Sequence, residues 1–543
     1  MSFDLEDQDE LRRGSRIWTY SKNIFLILCL ALFIWALLPP ESEQKTSTST
    51  ETNKTFTPSA SVKYVIKVAP KQFYFPGGIP MGIGKPLQGL SNVAARFEAL
   101  YPDTKIEYVA VPSAREWLVT QVSAGLAPDI VDVNVEEVWG DTHKGWYIAL
   151  DEYLERPSAF SKPGEPGSER WFDVMKYPSI SQGVAAPDGK IYCVVYDMVE
   201  TGVFYNKDIF EKVGVKPPNN WTEFLALQTK LRAAGYIPLL ANASSISDWG
   251  TDLTFDQYYR AILPGIDLRL DDAKRSAYLK SYLDWDEITF LFGKGFFTRD
   301  DPRFMEIWRT LKEWRTHMSQ DIGDRTVDYE KLFLNQTAAM RWEGSWRVQQ
   351  LQNDPSVEFD WGVFYLPPIT QAYSEYATGH DMVVIGGPNT QLVLTNAAIS
   401  DTGSAATSQR LDRCIKFLQF LTTPESADEI VNEVTCFLPN VKGVEPRPEL
   451  EAFDEFLERR YSSTKWQFTF DMQFNEVMNR MLELYLNDGI SEDEYLDWME
   501  RNLKSASEKA TVRLEADFPA LEKRWNELAP VRATMKGLPN AAR

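Results

Sequence analysis

Residues 106–133, IEYVAVPSAREWLVTQVSAGLAPDIVDV, contain the pattern that decides the fold. Two short apolar runs, 106–111 and 130–133, have the length and composition of β-strands. Between them, 116–124 has the apolar spacing of an amphipathic helix. A strand-helix-strand unit of this kind predicts a parallel sheet covered on both faces. In such sheets, ligands bind beyond the carboxyl ends of the strands.

The same alternation begins upstream of this unit. An apolar run over 64–68 predicts a first strand, and a helix over 91–100 follows it. Helical spacing places Val93, Phe97 and Leu100 on one face of that helix, which we expect to be buried. We therefore expect α/β architecture from about residue 62 onward.

Helix ends are marked further along the chain. Asn206 follows a strand and predicts the N-cap of a helix that ends at Gly214. Thr222 predicts the N-cap of the next helix, over 223–233. Three tryptophans, Trp221, Trp308 and Trp314, fit helix packing better than ligand contact.

Composition excludes several classes of function. The 543 residues contain 78 acidic and 57 basic side chains, a net charge of −21, which disfavours nucleic-acid binding. Three histidines and four cysteines leave little for a metal cluster, so we expect no metal and no cofactor. Cys414 and Cys436 are predicted either to pair or to remain buried thiols. The 17 tryptophans include candidates for ligand contact.

The N-terminus predicts a membrane anchor. Residues 24–38 are fifteen consecutive apolar residues, preceded by arginines and followed by glutamates. By the positive-inside rule, 1–22 is a cytoplasmic segment, 23–40 a transmembrane signal anchor, and the remainder is exported. The Ser/Thr-rich stretch 41–61 then predicts a tether. A cleaved signal peptide is the alternative, but no small-x-small site follows the apolar run.

Several motifs, in register along most of the chain, resemble a known family. They are YNKDIFEKVG (205–214), PPNNWTEF (217–224), AGLAPDI (124–130), AAM with GSW (338–340 and 344–346), and FLQFLTTPE (417–425). The resemblance is to the extracellular solute-binding proteins of ABC sugar importers, the maltose-binding class. The chain departs from that family in its predicted anchor and in an insertion around 267–300.

The resemblance implies two α/β lobes joined by strands that cross twice, near 194–202 and near 381–387. Lobe one is expected at 62–194 and 384–440, and lobe two at 195–383 and 441–543. It also implies closure of the lobes around a carbohydrate, an oligosaccharide, and delivery of that carbohydrate to ABC permease subunits. The body would lie on the extracytoplasmic face of a cell membrane, held there by a single-pass anchor.

A sugar site needs aromatic rings beside carboxylates and amides. By resemblance, Trp346 of the GSW motif stacks on a sugar ring, and we rank it first. The full set of predicted ligand-binding residues is Trp346, Asn134, Glu136, Trp139, Asp197, Glu200, Trp249, Asp248, Tyr74, His380 and Asp381.

Two other functions stay open. A membrane-anchored glycoside hydrolase would need two carboxylates across a sugar bond, and no motif singles out such a pair. A ligand sensor would keep the fold and signal to a membrane receptor, but residues 1–22 are too few for a signalling domain. We therefore predict a binding protein without catalytic residues.

Overall fold

The computed structural model describes residues 62–535 apart from a set of short gaps. These gaps are 83, 113–114, 178–185, 187, 242–244, 270–282, 284, 320–327, 384, 458–471 and 514–517. The predicted cytoplasmic segment, anchor and tether, 1–61, lie outside the described residues. Within the part that is described, no helix combines the length and the apolarity needed to cross a membrane.

The first sheet has five strands in the order β2-β1-β3-β9-β4. They are β1 Tyr64–Ala69, β2 Thr104–Tyr108, β3 Ile130–Asp132, β4 Cys193–Val194 and β9 Leu392–Leu394. The predicted parallel pairing is confirmed for β1 with β2 and with β3. The sheet as a whole is mixed, because β9 runs antiparallel to both β3 and β4.

The second sheet is built around β5, Asp197–Asn206, and all its pairings are antiparallel. The partners of β5 are β6 Met340–Gly344, β7 Trp361–Phe364, β8 Gly386–Pro388 and β10 Leu438–Pro439. Each sheet with its helices forms one lobe. The fold is therefore α/β and two-lobed, as expected.

Three segments, not two, run between the sheets. The first joins β4 to β5 through Val195 and Tyr196, near the expected first crossing. The second joins β8 to β9 through 389–391, a few residues after the expected 381–387. The third enters β10 from a helix, Pro424–Val431, that packs on the first lobe. The third arises because β10 adds to the edge of β5 opposite Asp197 and Met198.

Helices cover both sheets. The α-helices of seven or more residues are Gly89–Leu100, Arg115–Ser123, Val135–Asp141, Lys207–Val213, Trp221–Ala233, Thr251–Tyr259, Trp285–Gly293, Pro302–His317, Gln409–Leu421, Pro424–Val431, Glu451–Leu457, Met472–Leu486, Glu492–Arg513 and Phe518–Glu527. Shorter ones are Asp151–Leu154, Leu263–Ile266, Tyr329–Leu334, Val348–Asn353 and Ala529–Ala533. Of the predicted buried face in the first helix, Val93 and Phe97 are buried, but Leu100 is 58% exposed because it ends the helix.

The helix caps confirm one prediction and correct another. The Asn206 side chain accepts a hydrogen bond of 2.9 Å from the Ile209 amide, and Gly214 ends that helix in the left-handed conformation. Asn220, not Thr222, caps the next helix by accepting from the Glu223 amide at 3.0 Å. The predicted packing tryptophans, Trp221, Trp308 and Trp314, are all almost fully buried.

Candidate functional site

A cavity of about 720 Å³ lies at the carboxyl ends of the three parallel strands. Its lining combines aromatic and charged side chains with the loop that follows β1. Its lining side chains include Lys71, Phe73, Phe75, Arg115, Trp117, Asp132, Asn134 and Glu137. This is the edge at which α/β sheets bind ligands, and the volume is typical of a small-molecule site.

Two cations in the cavity face carboxylates. Lys71 Nζ lies 3.5 Å from Asp132 Oδ2, and Asp132 Oδ1 accepts a 2.8 Å hydrogen bond from the Gln391 amide. Burial raises the pKa of Asp132 above its usual value, while the Lys71 charge opposes that rise. Arg115 lies 3.4 Å from Glu137 and contacts the buried Asp141 more closely. The cavity lining therefore presents hydrogen-bond donors and acceptors in oppositely charged pairs, and not as isolated charges.

Trp346 lies on the second lobe, on the short 3₁₀ helix Ser345–Arg347 that follows β6. Its indole Nε1 donates a 3.1 Å hydrogen bond to Glu343, which in turn faces the Arg341 guanidinium at 2.8 Å. The ring lies directly over Gly344: a Cβ built there would lie 2.0 Å from a ring carbon. The Gly-x-Trp motif therefore has a steric reason, since only glycine leaves room for this ring.

Trp249 packs beside Trp346. The two ring centroids are 6.2 Å apart in an edge-to-face arrangement, and the Trp342 centroid lies 5.6 Å from that of Trp249, also edge-to-face. Trp249 and Asp248 are both half-buried and occupy a single π-helical turn, Ile246–Gly250. Such turns occur often at functional sites. The structure therefore brings together three of the predicted site residues on this lobe.

The two halves approach each other along the third crossing. The Trp346 carbonyl accepts a hydrogen bond of 3.5 Å from the Cys436 thiol. The next residue, Phe437, packs edge-to-face on Phe73 of the cavity at 5.2 Å. A Cβ built on Gly84, in the loop after β1, would lie 3.6 Å from Gln349 Nε2, on the helix after Trp346.

Three predicted residues lie in β5 or against it, and not among the described lining of the cavity. Tyr74 and Asp197 are almost fully buried, and the Tyr74 hydroxyl donates a 2.7 Å hydrogen bond to Asp197. Burial raises the pKa of Asp197, while its hydrogen bonds from Tyr74 and Asn389 oppose the rise. Glu200 is also fully buried, with Oε1 accepting from the Thr201 amide at 2.9 Å. These three side chains are buried and hydrogen-bonded within the protein, so they do not line the cavity as predicted.

The remaining predicted residues are scattered. Asn134 is exposed and lines the cavity, whereas Trp139, on the helix that follows, is buried. The Glu136 side chain lies outside the described set. His380 and Asp381 are exposed, and their backbone carbonyls accept from Gln257 at 3.1 Å and Arg260 at 3.4 Å.

Sequence reasoning missed much of the cavity wall. Lys71, Asp132, Arg115 and Trp117 were not predicted as site residues, yet all line the cavity. Asp132 lies at the carboxyl end of β3 and Lys71 just beyond that of β1, so strand ends were the available signal. Among the described residues, no group of three or more His, Cys, Asp or Glu is arranged to hold a metal ion. Cys414 and Cys436 are buried free thiols, and burial raises the pKa of Cys436 to about 12.

Comparison with known proteins gives relatives with a consistent description. A protein from Brucella abortus named as a binding protein is 29% identical over 147 residues, 26% of this chain and 32% of that protein. The chain thus matches about a third of that relative's length. The multiple sugar-binding protein of Streptococcus mutans is 22% identical over 339 residues, 62% of this chain and 68% of that protein.

Solved structures share the fold. The sugar-binding protein MalE from Xanthomonas citri has a TM-score of 0.56 at 17% identity, covering 84% of this chain and 99% of that one. At that identity the likeness shows the fold alone. A family model described as bacterial extracellular solute-binding protein matches residues 92–456, more than half of the chain. The predicted resemblance is confirmed at this level: the chain belongs to the bacterial extracellular solute-binding protein family.

Proposed function

We propose that this protein captures a carbohydrate, of oligosaccharide size, between its two lobes and delivers it to the permease subunits of an ABC transporter. The observation that carries the proposal is the cavity at the carboxyl ends of β1, β2 and β3, which is lined by both aromatic and charged side chains. Family membership supports a binding role. The sugar-binding names of the Streptococcus mutans and Xanthomonas citri proteins support the choice of carbohydrate.

The chemistry of the two walls suits a polyhydroxylated ring. Lys71, Asp132 and Asn134 offer donors and acceptors to hydroxyl groups on the first lobe. Trp346 and Trp249 offer apolar ring surface on the second lobe, where Glu343 holds the Trp346 indole N–H. The Trp346 ring would therefore contact a sugar through its face, since its polar atom is already bonded.

Membrane attachment is part of the proposal. The apolar segment 23–40 would anchor the chain as a single-pass protein, and 41–61 would hold the body away from the extracytoplasmic surface. The expected boundaries, 62–194 with 384–440 for lobe one and 195–383 with 441–543 for lobe two, shift by a few residues because β8 and β10 pair with β5 and belong to lobe two. Hinge closure between them would bury the solute.

Calorimetric titration of the full-length chain in detergent tests the proposal. The panel is maltotriose, raffinose and chitotriose, with sn-glycerol 3-phosphate as a charged comparison. We expect saturable one-to-one binding of at least one oligosaccharide, and Trp346→Ala and Asn134→Ala should each weaken it. The far-side Leu126→Ala, at a 71% exposed residue, serves as the matched control and should change nothing. Hydrolysis of a glycoside without a stable complex would contradict the proposal, as would a panel in which no saccharide binds.

A further inference from the structure

One turn of the chain contacts all three segments that connect the lobes. This wall turn, residues 71–75, follows β1. Its Tyr74 hydroxyl donates to Asp197 Oδ2 at 2.7 Å, at the end of the first crossing. Lys71 Nζ donates to the Asn389 carbonyl at 2.9 Å in the second. Phe73 packs on Phe437, beside β10 of the third, at 5.2 Å.

Asp197 is the centre of these contacts. Besides Tyr74, its carboxylate accepts from Asn389 Nδ2 at 2.6 Å and from the Thr390 amide at 2.8 Å. Its backbone carbonyl accepts from the Asn389 amide at 3.2 Å, and it pairs with Pro439 of β10. Asp197 is completely buried. One carboxylate therefore fastens the first crossing, the second crossing and the wall turn together.

The wall turn is also part of the cavity. Lys71, Phe73 and Phe75 line it, whereas Tyr74 between them is 1% exposed and is packed between Tyr196 and Phe437. A solute that contacts Lys71, Phe73 or Phe75 therefore contacts a turn in which Tyr74 is hydrogen-bonded to Asp197, at the end of the first crossing. Chains of packed and hydrogen-bonded side chains of this kind can carry energetic coupling between two sites.

We propose that the wall turn sets the angle between the lobes, and that Asp197 is a positioning residue that couples solute contact to closure. Through Tyr74, Asn389 and Thr390, it keeps the cavity wall in a fixed orientation to the crossings. The coupling to solute rests on the proposed function, whereas the control of the lobe angle does not.

Spin-label distances measure the lobe angle without a ligand. Labels at E107C on β2 and K216C after the helix Lys207–Val213 report one lobe each, and both positions are exposed. The background is full-length protein with Cys29→Ser in detergent. The three other cysteines are buried. The variant Tyr74→Phe removes only the hydroxyl that bonds Asp197, and Asp197→Asn removes the charge.

The matched control is Tyr259→Phe. The Tyr259 hydroxyl donates to Asp301 at 2.6 Å, and both residues are fully buried, but this pair lies in the helical layer of the second lobe. A purely structural role predicts similar losses of thermal stability and unchanged distances for both tyrosine variants. Our proposal predicts a broader or shifted distance distribution in Tyr74→Phe and a wild-type distribution in Tyr259→Phe. We expect Asp197→Asn to shift or broaden the distribution as well, and wild-type distributions in both Tyr74→Phe and Asp197→Asn would overturn the proposal.

A second arm uses the oligosaccharide from the panel that binds best. We expect Tyr74→Phe to weaken its binding about 2- to 30-fold, although Tyr74 is outside the cavity lining. Tyr259→Phe should bind like wild type. Equal affinity in Tyr74→Phe and wild type would overturn the coupling. If no saccharide binds wild type, the proposed function fails, and the distances still decide the control of the lobe angle.

Discussion

The substitution Gly344→Ala tests the Trp346 platform most sharply. The backbone at Gly344 has φ −90° and ψ 166°, which alanine adopts freely, so the added methyl group is the only perturbation. That methyl would lie 2.0 to 2.3 Å from three atoms of the Trp346 ring. Since carbon atoms pack at about 3.5 Å, the ring must withdraw by about 1.5 Å.

Two consequences follow from that displacement. Overpacking of this size costs about 1–3 kcal/mol of unfolding free energy. Removing an aromatic anchor from its place typically weakens binding by about 2 kcal/mol or more, roughly 30-fold. We therefore expect Gly344→Ala to lower both the urea midpoint and the affinity for the oligosaccharide that binds wild type.

Gly140→Ala is the control for this substitution. Gly140 lies in the helix Val135–Asp141, and a Cβ built there meets no atom within 4 Å. Alanine should stabilise that helix by up to about 1 kcal/mol and leave binding unchanged. Wild-type affinity and stability in Gly344→Ala would refute the assignment of Trp346 as a ring held over Gly344.

Three further predictions concern buried charges. Glu343→Gln removes the charge that faces Arg341 at 2.8 Å and should lower the free energy of unfolding in urea by about 3–5 kcal/mol. Calorimetry should also show weaker oligosaccharide binding. An unchanged free energy of unfolding with unchanged affinity would contradict the role of Glu343. Burial raises the pKa of Asp197 in the folded protein above its unfolded value of about 3.9, so the folded state binds more protons than the unfolded state. The thermal midpoint of wild type should therefore fall relative to that of Asp197→Asn as the pH rises from about 4. A difference between the two midpoints that stays constant with pH would contradict this prediction. Arg410→Leu leaves Asp129 buried without its 2.6 Å partner and should lower the free energy of unfolding by about 3–5 kcal/mol. Arg156→Leu, which breaks an exposed pair, should lower it by less than about 1 kcal/mol. Similar losses in the two variants would contradict this prediction.

Local signals predicted the fold well. The run 106–133 contains a strand, a helix and a strand in the structure, with ends shifted by up to three residues. The Asn206 cap and the Gly214 terminus depend on hydrogen bonds within a few residues, so local sequence suffices. Thr222 failed as a cap because Asn220, two residues earlier, accepts from the Glu223 amide and begins the helix first.

Long-range contacts explain what the sequence could not predict. Tyr74 and Asp197 are 123 positions apart and meet only when β1 and β5 are in place. The sequence around each residue therefore gave no indication that the two are hydrogen-bonded. The third crossing depends on β10 pairing with β5 across more than 200 residues. Arg115 belongs to the cavity because its helix begins at the edge where β1 to β3 end. Such placements follow from tertiary packing and not from spacing.

The proposed function requires that a carbohydrate bind between the two lobes. The most direct test is the E107C–K216C spin-label distance in the full-length Cys29→Ser protein, measured with and without a saturating concentration of the oligosaccharide that binds in calorimetry. We predict a shorter and narrower distance distribution with the saccharide in wild type, and no such change at the same concentration in Trp346→Ala. A distribution that the saturating saccharide leaves unchanged in wild type would contradict this requirement.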